Sequence, residues 1–348
     1  MSVFESMAQY GYGELHLVRD ERVQLRSIIA IHDTRLGPAL GGCRFVAYAN
    51  EEAALTDALR LARGMTFKAA LAGLPHGGGK AVILAPRDDH DRTALLRRFG
   101  RFVDGLAGRY VTAEDAGTGL PDMEIIRSQT KHVVGLGAAH GGSGDPSPFT
   151  ALGVRRGIEA YVELVLGRKS LHGLHVAVQG VGHVGYNLCK ELHAAGAHLT
   201  ISDVRDELAA RAATDFSANV VAAAEIHRVP CDIYAPCALG GALNDRTVPQ
   251  LQCRIVAGAA NNQLASDENG VALHARGILY APDYAINAGG LINVAQEVAG
   301  YDAAVSRERT LRIYETLREI ASRSLRSGEP PHRVADSMVQ EILANKAD

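Results

Sequence analysis

The stretch His175-Val176-Ala177-Val178-Gln179-Gly180-Val181-Gly182-His183-Val184-Gly185 decides the fold. A short apolar run reads as a buried strand, a GxGxxG pattern follows at once, and the segment from Tyr186 to Ala195 reads as a helix. A second strand-like run, His198-Leu199-Thr200-Ile201-Ser202, ends in Asp203, close to the ~20-residue distance at which such units carry an acid. The bare glycine pattern is weak evidence. Set between a strand and a helix, with an acid at that distance, it points to dinucleotide binding. Glycines let a pyrophosphate approach backbone N–H groups at the positive end of the helix, and Asp203 can accept hydrogen bonds from the adenosine ribose hydroxyls. A carboxylate there repels a 2′-phosphate, so NAD is expected over NADP, although Arg205 places a cation two residues on.

Working outward, strand-like runs recur at Val220-Val221, Asp232-Ile233-Tyr234-Ala235, Arg254-Ile255-Val256-Ala257-Gly258 and Gly277-Ile278-Leu279-Tyr280. Strands alternating with helices imply a parallel, doubly wound sheet. Ala259-Ala260-Asn261-Asn262-Gln263 and Asn287-Ala288-Gly289-Gly290 read as loops at the ends of these elements, where such folds bind ligands. From Asp302 the chain reads as helical apart from a break at Gly328-Glu329-Pro330-Pro331. On the N-terminal side, Thr150 to Leu166 reads as a helix, and the glycine-, serine- and proline-rich stretch Gly135 to Pro148 reads as a domain boundary.

The N-terminal part carries its own constellation. Two strand-like runs lie within Glu14 to Asp33, a loop is expected at Gly37-Pro38-Ala39-Leu40-Gly41-Gly42, and Glu51 to Arg63 reads as a helix capped by Asn50. Two lysines then bracket a glycine-rich stretch, from Gly64-Met65-Thr66-Phe67-Lys68 to Gly77-Gly78-Gly79-Lys80, before the apolar run Ala81 to Leu84. A lysine held partly dry beside another cation has its pKa pushed down toward the range of a general base. Two surface lysines flanking a turn are the competing reading. Arg92 to Leu106 reads as an amphipathic helix, and the strand Arg109-Tyr110-Val111-Thr112 runs into Ala113-Glu114-Asp115-Ala116-Gly117-Thr118. That acidic pair is either a catalytic carboxylate at a strand end or part of a solvated turn.

Bulk composition excludes several classes. The chain has 348 residues, enough for two domains, and a net charge of -3 with no long basic block, which argues against nucleic-acid and membrane-surface partners. The five cysteines form no CxxC pair and the histidines no metal spacing, so neither a disulfide framework nor a metal site is expected. Reduced cysteines, no leader-like N-terminus and no apolar run of spanning length together predict a cytoplasmic protein.

From about Phe4 to Leu343 the sequence resembles the glutamate/leucine/phenylalanine/valine dehydrogenase superfamily, and within it the leucine dehydrogenase branch. The matching stretches are Ile29-Ala30-Ile31-His32-Asp33-Thr34, Leu36-Gly37-Pro38-Ala39-Leu40-Gly41-Gly42, Asp57-Ala58-Leu59-Arg60-Leu61-Ala62, Gly64-Met65-Thr66 with Lys68, Thr112-Ala113-Glu114-Asp115, Ala235-Pro236-Cys237-Ala238-Leu239-Gly240 and Tyr280-Ala281-Pro282-Asp283-Tyr284. The resemblance implies an α/β protein of two domains with a cleft between them. Residues 1–135, with a returning C-terminal helix at about 330–348, would form a mixed-sheet substrate-binding and oligomerisation domain, and residues 136–329 a Rossmann-like NAD-binding domain. The implied reaction is the reversible, NAD-dependent oxidative deamination of an L-amino acid to a 2-oxo acid and ammonia. A non-catalytic NAD-binding sensor is the alternative from another class. It need not keep Lys68, Lys80 and Asp115 together, as this sequence does.

The resemblance also assigns roles. Lys68 resembles the lysine that pairs with the substrate α-carboxylate, Lys80 the catalytic lysine that activates the attacking water, and Asp115 the acid that exchanges protons with the substrate nitrogen. Asn262 resembles the asparagine that holds substrate beside the nicotinamide; Thr150 and Asn287 match positions that bind the nicotinamide amide and its ribose. Gly180, Val181, Gly182, His183, Val184, Gly185, Asp203, Val204, Cys237, Ala238, Ala260, Asn261 and Asn262 complete the implied cofactor set. Gly41 and Met65 join the substrate set.

Glutamate-specific members carry a lysine where this chain has Leu40 and a serine where it has Val294. With Leu40, Ala113, Leu291 and Val294 the implied pocket is aliphatic, which predicts leucine, valine or isoleucine as substrate and rejects glutamate. Departures at Cys43, at Pro75-His76 with Gly79, and at Gly119-Leu120-Pro121 bring in an aromatic substrate, phenylalanine or tryptophan, as the alternative. The chain stops soon after Leu343, short of the tail with which many leucine dehydrogenases build octamers. A homo-oligomer smaller than an octamer, with a dimer favoured, is therefore expected.

Overall fold

The computed structural model describes residues 2–346. They form two compact units. One comprises the chain up to Gly144, together with Val294–Asp302 and the stretch from Val339; the other comprises Asp145–Asn293 and Ala303–Met338. The first division falls at Gly144, within the glycine-, serine- and proline-rich stretch Gly135 to Pro148. Residues 294–302 group with the first unit because the Glu297 carboxylate accepts hydrogen bonds from the backbone N–H groups of Gly135 (2.9 Å) and Ser143 (2.8 Å).

In the first unit, helix α1 (Val3–Tyr10) precedes β1 (Glu14–Asp20), β2 (Leu25–Asp33), β3 (Ala39–Val46), α2 (Glu51–Leu71), β4 (Gly77–Leu84), α3 (Arg92–Asp104), β5 (Tyr110–Glu114) and α4 (Leu120–Arg127). The sheet order is β1-β2-β4-β3-β5. Pairing is antiparallel for β1 with β2 and β2 with β4, and parallel for β3 with both β4 and β5. Strand β2 shows why both faces are covered. Leu25, Ile29 and Ile31 point into one core with Leu95, Leu96, Phe99 and Val103 of α3, while Ile28 and Ala30 point into another with Ala54, Ala58, Leu59 and Ala62 of α2. Each fully buried Ile or Leu contributes about 1.5–3 kcal/mol.

Several sequence expectations change here. The segment expected as a loop from Gly37 to Gly42 is strand from Ala39 onward, and β4 begins at Gly77, so that Lys80 lies inside a strand and not just before one. Glycines normally weaken strands, but these lie where other backbone comes close. A Cβ on Gly78 would strike the backbone of Thr66 in α2, so the missing side chain lets the helix rest directly on the strand. Helix α2 accordingly runs past Arg63 to Leu71 and carries Lys68 in its last turn. Gly119-Leu120-Pro121 is a helix start, because proline is accommodated in a first turn and the Asp122 carboxylate accepts from the Gly119 N–H at 3.0 Å.

In the second unit α5 (Ser147–Leu166) leads to β6 (His175–Gln179), α6 (His183–Ala194), β7 (His198–Ser202), α7 (Asp206–Phe216), β8 (Asn219–Val220), β9 (Ile233–Pro236), β10 (Ile255–Val256), α8 (Asp267–Ala275) and β11 (Leu279–Tyr280). The short helices α9 (Asp283–Ile286) and α10 (Gly289–Ala295) follow, then α11 (Ala303–Leu311), α12 (Ile313–Ser327) and α13 (Pro331–Ala344). The sheet order is β11-β10-β9-β6-β7-β8, and every pair is parallel. The order turns at β6, where the glycine pattern sits. In α13 the residues through Met338 group with the second unit and those from Val339 with the first, which differs from a helix belonging wholly to the first. The reason is local. His332 and Arg333 pair with Asp267, and the Tyr284 hydroxyl donates to Asp336. No helix among the described residues is long and apolar enough to cross a membrane.

Candidate active site

The two lysines lie on facing elements of the first unit, Lys80 on β4 and Lys68 on α2, near enough for the charge of Lys68 to act on Lys80. Lys80 is buried in β4 and forms an ion pair with Asp115, which follows the end of β5. The turn holding Asp115 is tied to β3 by two bonds. The Phe45 N–H donates to the Ala116 carbonyl at 2.9 Å, and the Thr118 hydroxyl donates to the Cys43 carbonyl at 2.8 Å. Gly42 makes this approach possible, since a Cβ there would lie 2.8 Å from the Asp115 Cβ. Burial, reinforced by the Arg44 guanidinium and by Lys68, pushes the Lys80 pKa down to about 7; the Asp57 carboxylate pulls in the opposite direction. Two outcomes remained open for these lysines, and a buried, acid-paired Lys80 is not a surface lysine.

The other candidates of the first unit lie on β3, β5 and α2. Leu40 is buried and registers with Gly78 of β4 and Val111 of β5, Gly41 lies next to it, and Ala113 registers with Gly42. Met65 and Lys68 are half-buried near the end of α2. Burial drives the Cys43 thiol far up, so it is inert packing. His76 is buried, its pKa is lowered by that burial, and its Nδ1 has no partner. Leu291 and Val294 lie three residues apart on α10, both half-buried; contacts group Val294 with the first unit and Leu291 with the second.

The cofactor candidates lie on the second unit. Gly180 takes φ +90°, which a side chain would strain, and its Cα faces Ala238 closely. Gly182 would bring a Cβ only to ordinary contact, 3.7 Å from an Arg205 nitrogen. It precedes α6, whose first N–H groups have no side-chain cap, the arrangement that receives a pyrophosphate. His183 and Val184 begin that helix, and Gly185 packs onto the Gly180 carbonyl. The Asp203 carboxylate accepts from the Val181 N–H at 2.8 Å and the Arg205 N–H at 3.0 Å, which leaves acceptor capacity for hydroxyls; Val204 is exposed. Arg205 Nε lies 3.7 Å from Asp203.

Around the other loops, Ala260 N–H donates to the Pro236 carbonyl, and Asn262 takes φ +51° while its N–H donates to Asp283. Burial pushes the Cys237 thiol up to about 12, which rules out a nucleophile there. Asn287 donates from Nδ2 to the Ala259 carbonyl and to Asn261, leaving its buried Oδ1 unpartnered. The Thr150 hydroxyl donates to the Pro146 carbonyl. A glycine-rich turn, an uncapped helix start and an unused buried acceptor fit a dinucleotide.

The family comparison agrees with this geometry. A model described as "Glu/Leu/Phe/Val dehydrogenase, dimerisation domain" matches residues 14–132, and one described as "Glutamate/Leucine/Phenylalanine/Valine dehydrogenase" matches residues 205–329. The chain belongs to the Glu/Leu/Phe/Val dehydrogenase family. As a dehydrogenase of this family it is an enzyme that uses a nicotinamide cofactor. A leucine dehydrogenase of Bacillus subtilis is 50% identical over 344 residues, covering 99% of this chain and 94% of that one. A valine dehydrogenase of Streptomyces albus is 46% identical, covering 97% and 93%. The crystal structure of L-tryptophan dehydrogenase from Nostoc punctiforme superimposes with a TM-score of 0.88 at 45% identity, covering 99% of each chain.

Sequence reasoning missed one set of residues in this dehydrogenase. Arg44, on β3, donates to Asp57 of α2 at 2.7 Å and lies 3.6 Å from Asp115. The Tyr48 hydroxyl donates to the same Asp57 oxygen at 2.6 Å. A signal existed in the spacing. Asp57 and Lys68 are eleven residues apart, close to three helical turns of about 3.6 residues each, so both project from one face of α2. A charged Arg44 between the buried Cys43 and Phe45 had to find a partner on that face.

Proposed function

We propose that this enzyme catalyses the reversible, NAD-dependent oxidative deamination of a branched-chain aliphatic L-amino acid, leucine, valine or isoleucine. The observation that carries the reading is Lys80, dry and acid-paired inside a strand, on the face that also bears Lys68. Its support on the substrate side is the buried Leu40 beside Ala113, together with the leucine and valine dehydrogenase relatives. The first unit takes the amino acid and the second the cofactor.

Lys68 pairs with the α-carboxylate and fixes the orientation of Cα. A bound nicotinamide would supply the acceptor for the hydride that leaves Cα. Asp115 takes a proton from the substrate ammonium, and loss of hydride from Cα then leaves the protonated imine. Lys80, neutral, takes a proton from water as that water adds to the imine carbon. The carbon–nitrogen bond then breaks as Asp115 returns its proton to the departing nitrogen and takes up the hydroxyl proton of the carbinolamine, and the products are a 2-oxo acid and ammonia. Thr150 and Asn287 would hold the nicotinamide end, Gly180 to Gly185 the pyrophosphate and Asp203 the adenosine ribose, an arrangement that favours NAD over NADP.

Incubation with L-leucine deuterated at Cα tests the reaction. The expected product is NADH carrying the deuterium, with a higher kcat/KM for NAD than for NADP. Unlabelled NADH, or a preference for NADP, would overturn the reading of the reaction or of Asp203 respectively. An aromatic substrate is a second reading, favoured by the likeness to L-tryptophan dehydrogenase.

The assembly we propose is a homodimer. Edge strand β1 presents unpaired backbone groups and Leu17 at 66% exposure, with Phe4 of α1 at 82%. Light scattering is expected to give two subunits per particle, and eight would refute the proposal.

A further inference from the structure

The catalytic lysine is not surrounded by its acid alone. From β3 it faces Arg44, while the neutral thiol of Cys43 lies on the opposite face of that strand; from α2 it faces Lys68 and Asp57; from the turn after β5 it faces Asp115. Arg60 of α2 approaches Asp57 at 3.8 Å and Tyr48 donates to it, so Asp57 is itself held from three sides. Arg44 occupies the centre of this arrangement. One terminal nitrogen donates to Asp57 at 2.7 Å, the other lies 3.6 Å from Asp115, and Nε is buried with no partner.

The strand positions explain why the arginine reaches both acids. Arg44 registers with Val82 of β4, two residues beyond Lys80, so both side chains lie on the α2 face of the sheet. Gly42, two residues before Arg44 on the same face, leaves room for the Asp115 turn. Asp57 comes down from α2 onto the far end of the guanidinium. A planar, permanently charged fork spans two carboxylates in this way, and a flexible ammonium does so less well. The unpartnered Nε marks a group kept dry at some cost for what it does to its neighbours.

We propose that Arg44 is a positioning residue of the deamination site: anchored by Asp57, it aligns the Asp115 carboxylate against Lys80 and keeps a fixed positive charge beside that lysine so that it is neutral when water must be deprotonated. This rests on the function proposed above. It makes Asp57 and Arg44 opposed controls on one lysine. The cation disfavours the protonated lysine and the anion favours it, in keeping with the directions in which each shifts Lys80.

The test is the pH profile of kcat/KM for L-leucine with NAD, which reports ionisations of the free enzyme. In Arg44→Met the acid limb is expected to move to higher pH by about one unit or more, as removal of a close like charge requires. Arg44→Lys is expected to bring the limb back toward its original position, because the charge returns even where the alignment does not. Asp57→Asn is expected to move the limb to lower pH. Damage to packing alone would reduce the rate in all three without moving the limb in opposite directions. An acid limb unmoved in Arg44→Met, or unmoved or raised in Asp57→Asn, overturns the inference. If Arg44→Met does not fold by circular dichroism, the sign of the Asp57→Asn shift decides. Absence of turnover by the unmodified enzyme with every L-amino acid would instead overturn the proposed function.

Discussion

Replacing Lys80 by alanine is expected to lower kcat for oxidative deamination by about 10²- to 10⁴-fold, the usual contribution of a positioned general base, with little change in the KM for amino acid. The expectation follows from the pKa. A lysine at the ordinary value of 10.5 would be mostly protonated at neutral pH and could not take a proton from water. Burial, with Arg44 beside it, brings it to about 7, so deprotonation is half complete near neutrality and activity rises as pH climbs through that value. The alanine variant should lose that limb of the profile along with the rate. Stopped-flow measurement of NADH formation separates the chemical step from product release, and circular dichroism checks that removing one partner of a buried pair has not unfolded the sheet. Turnover near normal in the folded variant would remove Lys80 from the role of base.

Discrimination against glutamate is the second large effect. Leu40 is 2% exposed and its strand neighbours in the register are Gly78 and Val111, which offer no side-chain donor. A substrate carboxylate driven against that surface would lose its water without gaining a partner, at a cost of several kcal/mol. At about 1.4 kcal/mol per tenfold this amounts to roughly 10³-fold or more in kcat/KM in favour of leucine. Separation of leucine from the aromatic acids is smaller in principle, because an apolar pocket distinguishes side chains by shape at about 1–3 kcal/mol per methylene.

What could be read in the sequence follows from where side chains carry a pattern. The strand His175–Gln179, the glycine turn and Asp203 lie as the sequence implies, because apolar run, turn chemistry and acid spacing all point the same way. The strand Ala39–Val46 and the start of β4 were not legible in that way. Gly41, Gly42, Gly77, Gly78 and Gly79 have no side chains with which to show a two-residue period, and their fitness for strands lies in the backbone that approaches them, Thr66 at Gly78 and the Asp115 turn at Gly42. Helix α7 escaped notice for the opposite reason. Its few buried positions, Ala209, Ala212 and Phe216, give a thin apolar stripe among charged residues. Lys80 and Asp115 stood out as types suited to chemistry, but Arg44 and Asp57, thirteen residues apart in the chain, become an ion pair only where packing sets α2 on β3. The aliphatic character of Leu40 was plain from the residue itself, whereas its burial belongs to the sheet.

The most direct measurement is kcat/KM with NAD at alkaline pH for L-leucine, L-valine, L-phenylalanine, L-tryptophan and L-glutamate, followed by NADH absorbance on one preparation of the enzyme. Leucine or valine is expected to be the best substrate, with glutamate lower by roughly 10³-fold or more. A higher value for phenylalanine or tryptophan would contradict the aliphatic pocket, and glutamate turned over as well as leucine would contradict the reading of Leu40 and Val294 altogether.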